Sequence, residues 1–331
     1  MIILSSAVRK TDRNLAVVIP TCGTRDISAL VRTMDKSLRE HRINPHFVLA
    51  RGKESNAALL NVMEAAPSVR ILDRTGRQGE VIMHAFDRWH KKSDALVFCC
   101  DDYNFLADDL YRLVEKLGSK SSAAIGNWDR EAALYLPHVL FVAETAIAYA
   151  ISSAGEKYEA RVVPSLERKM AEEFEQKASN AGTLYKVYLG VMGFSSQAWP
   201  AIGEYAKGTF TKSQRSLEGV GIESALLLSA IHQDLRISQV ELTRRYEHPI
   251  LPRGSKQEEE YVRGRVTLLG QHFRVIAEYA AKSGQEEKLP ALRAFRRQAR
   301  AAMKKAGFHW PERDVLESEF NGKYSSSYMQ D

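Results

Sequence analysis

Short apolar runs alternate with segments of helical period through the first third of the chain. Leu15-Ala16-Val17-Val18-Ile19, Phe47-Val48-Leu49-Ala50 and Ala95-Leu96-Val97-Phe98-Cys99-Cys100 are continuous and too short for globular helices. Such runs read as strands buried on both faces, the pattern of a parallel sheet. Val69-Arg70-Ile71-Leu72 reads as a further short strand. Between these runs, Ile27, Leu30, Val31, Met34 and Leu38 recur at helical spacing, and Ala57 to Ala65 and Glu80 to His90 also read as helices. Another helix starts near Ala107, with Leu110, Leu113, Val114 and Leu117 on one stripe. This alternation predicts an α/β fold: a mostly parallel sheet flanked by helices, joined by right-handed crossovers.

The pattern changes from about Asn127. Ala132 to Ser152 is alanine-rich and apolar on most sides, and Ser165 to Ala178 reads as a charged, exposed helix. Tyr185 to Phe194 reads as a strand or loop whose Gly190 and Gly193 serve either close backbone approach to a ligand or a bulge. Gly219-Val220-Gly221-Ile222-Glu223 opens a helix through His232, and Arg236 to Leu242 reads as a late strand leading to Arg244-Arg245-Tyr246-Glu247-His248-Pro249. Lys256 to Asp331 is helical and strongly charged. The division expected is a main α/β domain over 1–255 and a helical extension over 256–331. The extension's apolar positions, among them Val266, Leu268, Phe273 and Val275, need a partner surface: the main domain or the second subunit of a homodimer.

Composition narrows the function classes. Hydrophobic content of 44% and charged content of 27% are ordinary for a globular protein. No apolar run approaches the roughly 20 residues of a membrane span, and no secretory signal is expected at the N-terminus. Cys22, Cys99 and Cys100 lack metal-ligand spacing and suit a reducing cytoplasm. The net charge of +6 suits a phosphate-bearing ligand or an anionic surface, but its lysines and arginines are scattered and read mostly as a solvated face, and no nucleic-acid partner is expected. Neither the glycine pattern of a dinucleotide fold nor a P-loop is present.

The chemistry gathers where the central strand ends. Asp101 and Asp102 follow Cys100 at the carboxyl end, where open α/β sheets bind their ligands. Adjacent acids there either hold a divalent ion with a phosphate-bearing substrate or merely begin a solvated loop.

With those residues placed, the chain resembles the GT-A glycosyltransferases of the family-2 type. The strand ending in Pro20-Thr21 is similar to the family's opening strand. Gly76-Arg77-Gln78-Gly79-Glu80 resembles its G-K-G-x-A segment, and the strand, acids and helix around Asp102 resemble its D-x-D segment. Downstream, GVGIESALLLSAIHQDLRISQVELTRRYEHP is similar to the glucosylglycerate and mannosylglycerate synthase branch. The resemblance implies a sugar transfer from a UDP- or GDP-sugar donor to an acceptor hydroxyl, with Mn2+ or Mg2+ held by Asp102 and His248. It implies Asp101 as a second ligand or ribose contact, and Pro20, Thr21, Arg51, Gly76, Arg77 and Gly79 around the donor. Glu223 falls at the position of an acceptor-hydroxyl base or an orienting residue, and Asp102 shares in catalysis. Cys100 stands at the first acid of D-x-D, Gln78 near the usual lysine, and Ala50-Arg51-Gly52 replaces an acidic pair. Those departures leave open a non-catalytic nucleotide-sugar-binding protein. A sugar-phosphate nucleotidyltransferase, suggested by Gly23-Thr24-Arg25, lacks its glycine-rich loop.

Overall fold

In β1 (Arg13–Thr21) alternate residues point to opposite sides, and both sides are apolar. Leu15, Val17 and Ile19 join one hydrophobic core, while Ala16 and Val18 join another. A strand with this composition is stable only inside a sheet covered on both faces. The computed structural model describes residues 13–21, 27–51, 61, 64, 68–75, 77–99, 107–119, 122–127, 187–219, 221–243, 255–257, 271–272, 274–275, 278–279 and 282. Among them, β1 is joined by β2 (Ile43–Arg51), β3 (Val69–Thr75), β4 (Ala95–Cys99), β5 (Ala123–Asn127), β6 (Val187–Ser195) and β7 (Ile237–Glu241) in one seven-stranded sheet. The order is β3-β2-β1-β4-β6-β5-β7. β1 pairs in parallel with β2 and β4, β2 with β3, and β5 with β7, whereas β6 runs antiparallel to β4 and β5. All strands but β6 therefore end on the same edge.

Helices cover both faces. On one side lie α1 (Ser28–Glu40) and α3 (Ala107–Ser119), whose Val31, Met34, Leu38, Leu110, Leu113 and Leu117 pack with Leu15, Val17 and Ile19. On the other lie α2 (Gln78–Trp89), α4 (Trp199–Thr209) and α6 (Gly221–His232), the last preceded by the short α5 (Gln214–Glu218). Phe86 meets Trp199 edge-on at 4.8 Å in this second core. Every residue of α6 from Gly221 to Ile231 is buried. A helix apolar on all sides needs neighbours all round. The sheet, α2, α4 and α5 supply some of them, and Val275 and Tyr279 from the C-terminal stretch belong to the same core.

The mostly parallel α/β architecture matches expectation, with some differences of detail. β2 is longer than its apolar run, because it extends along the whole of β1 from Ile43. β5, α4 and α5 were not expected. Gly193 faces α3 rather than a ligand, since a Cβ there would come within 2.9 Å of side-chain atoms of Leu113, Leu117 and Val97. The β5–β6 register is irregular between Ile125 and Gly126, so the bulge reading of this segment fits. In the Ala57–Ala65 segment only Asn61 and Glu64 are described, and both are helical. The helices expected over Ala132–Ser152 and Ser165–Ala178 lie outside the described residues.

Candidate functional site

The strand order reverses beside β1: β2 and β3 lie on one side of it and β4 on the other. In an open α/β sheet the crevice at the carboxyl ends of the strands at such a point is the usual ligand site. Thr21 ends β1 there, in register with Arg51 at the end of β2, and Arg51 is in register with Thr75 at the end of β3. Pro20, one residue back, is half-buried. Cys99 ends β4 at the same edge and is buried. Asp101 and Asp102, which follow it, lie outside the described residues, as do Gly76 and His248. The edge thus brings Pro20, Thr21 and Arg51 together on the side where β4 ends at Cys99.

Two residues separate the end of β3 from the start of α2, and the first turn of this helix is built for an exposed start. Arg77 is the N-cap in extended conformation, and its backbone N–H donates to Glu80 Oε2 at 2.8 Å. The guanidinium has no acceptor atom, so only the returning half of a capping box can form. Its side chain is 61% exposed and lies 3.9 Å from Glu218 Oε2, a long surface pair of little worth. Arg77 therefore stands at the helix N-terminus, where both its fork of donors and the helix dipole favour an anion.

The next residue carries the main contact of the site. Gln78 Nε2 donates to Glu223 Oε1 at 2.8 Å, across 145 positions of sequence. Glu223 lies in the first turn of α6 and is only 7% exposed. Gly79 allows the two helix starts to approach: a Cβ there would overlap the Leu217 carbonyl oxygen and stand 2.9 Å from that of Gly219. This glycine is required by packing of α2 on the α5–α6 turn, a reason distinct from the donor contact its motif suggested.

The C-terminal stretch braces the same turn from behind. Ser224, adjacent to Glu223, has its Oγ 2.8 Å from His272 Nδ1, and both residues are buried. Burial pushes the His272 imidazole down to about 4, which keeps it neutral near pH 7. Glu278 accepts the backbone N–H groups of Lys212 at 3.1 Å and Ser213 at 2.8 Å, capping the start of α5, and pairs with Lys282 at 3.0 Å. A second brace lies across the site's other wall. Asp109, 1% exposed in the first turn of α3, accepts the backbone N–H of Thr243 at 3.0 Å, its hydroxyl at 2.7 Å, and Arg112. Thr243 is the last described residue before His248.

Gln78, Asp109 and His272 were not picked out as site residues by sequence reasoning. Asp109 carried a usable signal: it sits four and eight positions before Leu113 and Leu117, on the buried stripe of its helix, where an acid needs a partner. Among the described residues no group of three or more His, Cys, Asp or Glu side chains could hold a metal ion. Nor is any described helix long and apolar enough to cross a membrane.

No protein-family model and no curated protein sequence matches the chain. Solved structures do. Glucosyl-3-phosphoglycerate synthase from Mycobacterium tuberculosis, in complex with Mg2+ and uridine diphosphate, superposes with a TM-score of 0.52 at 14% identity, over 82% of this chain and 80% of that one. The same enzyme with phosphoglyceric acid gives 0.50 at 15% identity, over the same shares of both chains. Its complex with Mn2+, UDP-glucose and phosphoglyceric acid gives 0.50 at 14%, again over 82% and 80%. The fold is GT-A. The GT-A likeness spans the sheet and both helical layers rather than a single βαβ unit, and at this identity it speaks for architecture. Within this GT-A sheet, the crevice beside β1 is the candidate site.

Proposed function

We propose that this chain is a metal-dependent glycosyltransferase, moving a sugar from a UDP- or GDP-sugar to an acceptor hydroxyl. The observation that carries the reading is the Gln78–Glu223 contact, because it seats a buried carboxylate beside an anion-favouring helix start at the switch point of a GT-A sheet. Pro20, Thr21 and Arg51 line the nucleoside end of the donor. Arg77, Gly76 and the α2 N-terminus face its diphosphate, where negative charge grows as the glycosidic bond breaks. Glu223 takes the proton of the acceptor hydroxyl in an inverting reaction or orients that hydroxyl in a retaining one.

A divalent ion is part of this reading. Asp102 and His248, with Asp101 as a further ligand or ribose contact, form an oxygen-rich donor set with one imidazole, which suits Mn2+ or Mg2+. Bound there, the ion supplies Lewis-acid stabilisation of the leaving diphosphate. Structures of the same fold contain Mg2+ with uridine diphosphate and Mn2+ with UDP-glucose, which supports the donor class. Residues 1–255 form the catalytic domain in this proposal, and 256–331 are an extension of it, in keeping with the place of Val275 and Tyr279 in the core.

The test is a thermal-shift series with UDP and GDP, each with and without manganese, followed by turnover of the matching sugar nucleotides. A ligand bound at 100 times its Kd should add about 2.7 kcal/mol of apparent stability. The expected result is a shift that needs metal and nucleotide together. Arg77→Ala should weaken nucleotide-diphosphate binding by about 1.5–3 kcal/mol, as for a hydrogen bond to a charged group. No shift with either nucleotide would sink the reading, and a shift without turnover would identify a non-catalytic binding protein instead.

A further inference from the structure

Glu223 presents a problem that the proposed reaction does not by itself explain. Its carboxylate is almost entirely withdrawn from water, at the start of a helix that is otherwise apolar to Ile231. A buried carboxylate ordinarily needs a cation or several donors. One donor to it, across the helix junction, is a neutral amide, Gln78 Nε2 at 2.8 Å from Oε1, while the adjacent Arg77 lies 3.9 Å from Glu218. An amide differs from a lysine or arginine in one chemical respect that matters here. It fixes the direction of one carboxylate oxygen without bringing a positive charge of its own.

The geometry points to Gln78 as the positioning residue of Glu223: its amide holds the carboxylate in the orientation that meets the acceptor hydroxyl. This deepens, and rests on, the glycosyltransferase reading above. The backbone around Gln78 is suited to that task. It is the first residue of α2, half-buried, and the next residue is locked against the Leu217 and Gly219 carbonyls because no Cβ fits there. On the far side, Ser224 is tied to His272. Glu223 is therefore held through the side chain by α2 and through the neighbouring residue by the C-terminal stretch. The same turn that presents Arg77 to the donor diphosphate holds the carboxylate for the acceptor, so the two halves of the reaction share one rigid support. Among the described residues, the charged and titratable groups on the elements packed around it are Arg77, Glu80, His84, Asp87 and Arg88 on α2, Glu204, Tyr205 and Lys207 on α4, Glu218 on α5, His232 at the far end of α6, and His272, Arg274, Glu278, Tyr279 and Lys282 on the C-terminal stretch.

Two variants test this in the full chain. Gln78→Met keeps length and volume but donates no hydrogen bond, and Gln78→Lys replaces the amide by a cation. The 13C carboxyl resonance of Glu223, assigned by its loss in Glu223→Gln, is titrated in each protein without substrate. The midpoint should rise in Gln78→Met, which removes a donor to the charged form, and fall in Gln78→Lys. A midpoint that moves in neither variant overturns the proposal, whatever the activity. Turnover of the sugar nucleotide with manganese then separates positioning from binding. Gln78→Met should lose about tenfold or more in kcat, with donor KM changed by less than about twofold. A loss carried wholly by donor KM would make Gln78 a donor contact and overturn the assignment. Should the wild-type protein turn over no sugar nucleotide, the glycosyltransferase reading fails on its own, while the titration still decides whether the amide governs the carboxylate.

Discussion

His272 illustrates how one residue ties stability to pH. Its imidazole is buried, with Nδ1 2.8 Å from Ser224 Oγ, and burial lowers its pKa to about 4. In the unfolded chain the same group titrates near its ordinary value of about 6.5. Between those two values the unfolded state carries a proton that the folded state refuses. The stability contributed by keeping His272 neutral is therefore fully present above about pH 6.5 and is lost as pH falls toward 4. At about 1.36 kcal/mol per unit, the whole loss is about 3 kcal/mol. Urea unfolding of the wild type and of His272→Gln at pH about 7.5 and about 4.5 isolates this term from the carboxylates common to both. The wild type should lose more stability than the variant over that interval. Equal losses would show that His272 takes up its proton without opening the junction.

At the scale of elements, the brace between α3 and the end of β7 invites a direct test. Asp109→Ala leaves the backbone N–H of Thr243 without its acceptor and should cost about 1–3 kcal/mol, most of it restored in Asp109→Asn. Thermal unfolding of the two variants checks this, and an Asp109→Ala protein as stable as the wild type would refute it. The elements that were legible in the sequence share a property: their pattern is set by burial on two sides or on one stripe. β1 and β4 announce themselves by unbroken Val, Leu and Phe, and α1 by Val31, Met34 and Leu38. β5 does not, because Ala-Ala-Ile-Gly-Asn has low strand propensity, and its place is decided by β6 and β7 on either side. α4 is obscured by Gly203, which weakens a helical reading. That glycine leaves room for the Trp199 indole, which a Cβ there would approach to 3.1 Å. The site was partly legible for the same reason. Arg77, Gly79 and Glu223 sit in ordered motifs, whereas Gln78, Asp109 and His272 matter through contacts made at least 48 positions away.

For the whole molecule, the convergence of α2, the α5–α6 turn and the C-terminal stretch on Glu223 fixes when the site can exist. Synthesis proceeds from the N-terminus at about 5–20 residues per second, and domains tend to fold as units when their chain has emerged. The first strands and α2 are available early, but the partner of Gln78 arrives 145 residues later. Closing a loop of that length costs about 4 kcal/mol before any contact repays it. Val275, Tyr279 and the Glu278 cap come later still. A chain ending at residue 255 and stalled behind a linker of about 30–40 residues, so that α5 and α6 have left the ribosome, should therefore be open to limited proteolysis around these two helices. One stalled behind a linker of about 30–40 residues after the full sequence, long enough to clear the ribosome at about 3.3 Å per residue, should be protected there. Protection of the shorter chain would show that the core closes without its last segment. The Glu223 junction is thus completed only once residues 272–282 are available, so a chain that already carries Glu223 still lacks its brace until they emerge.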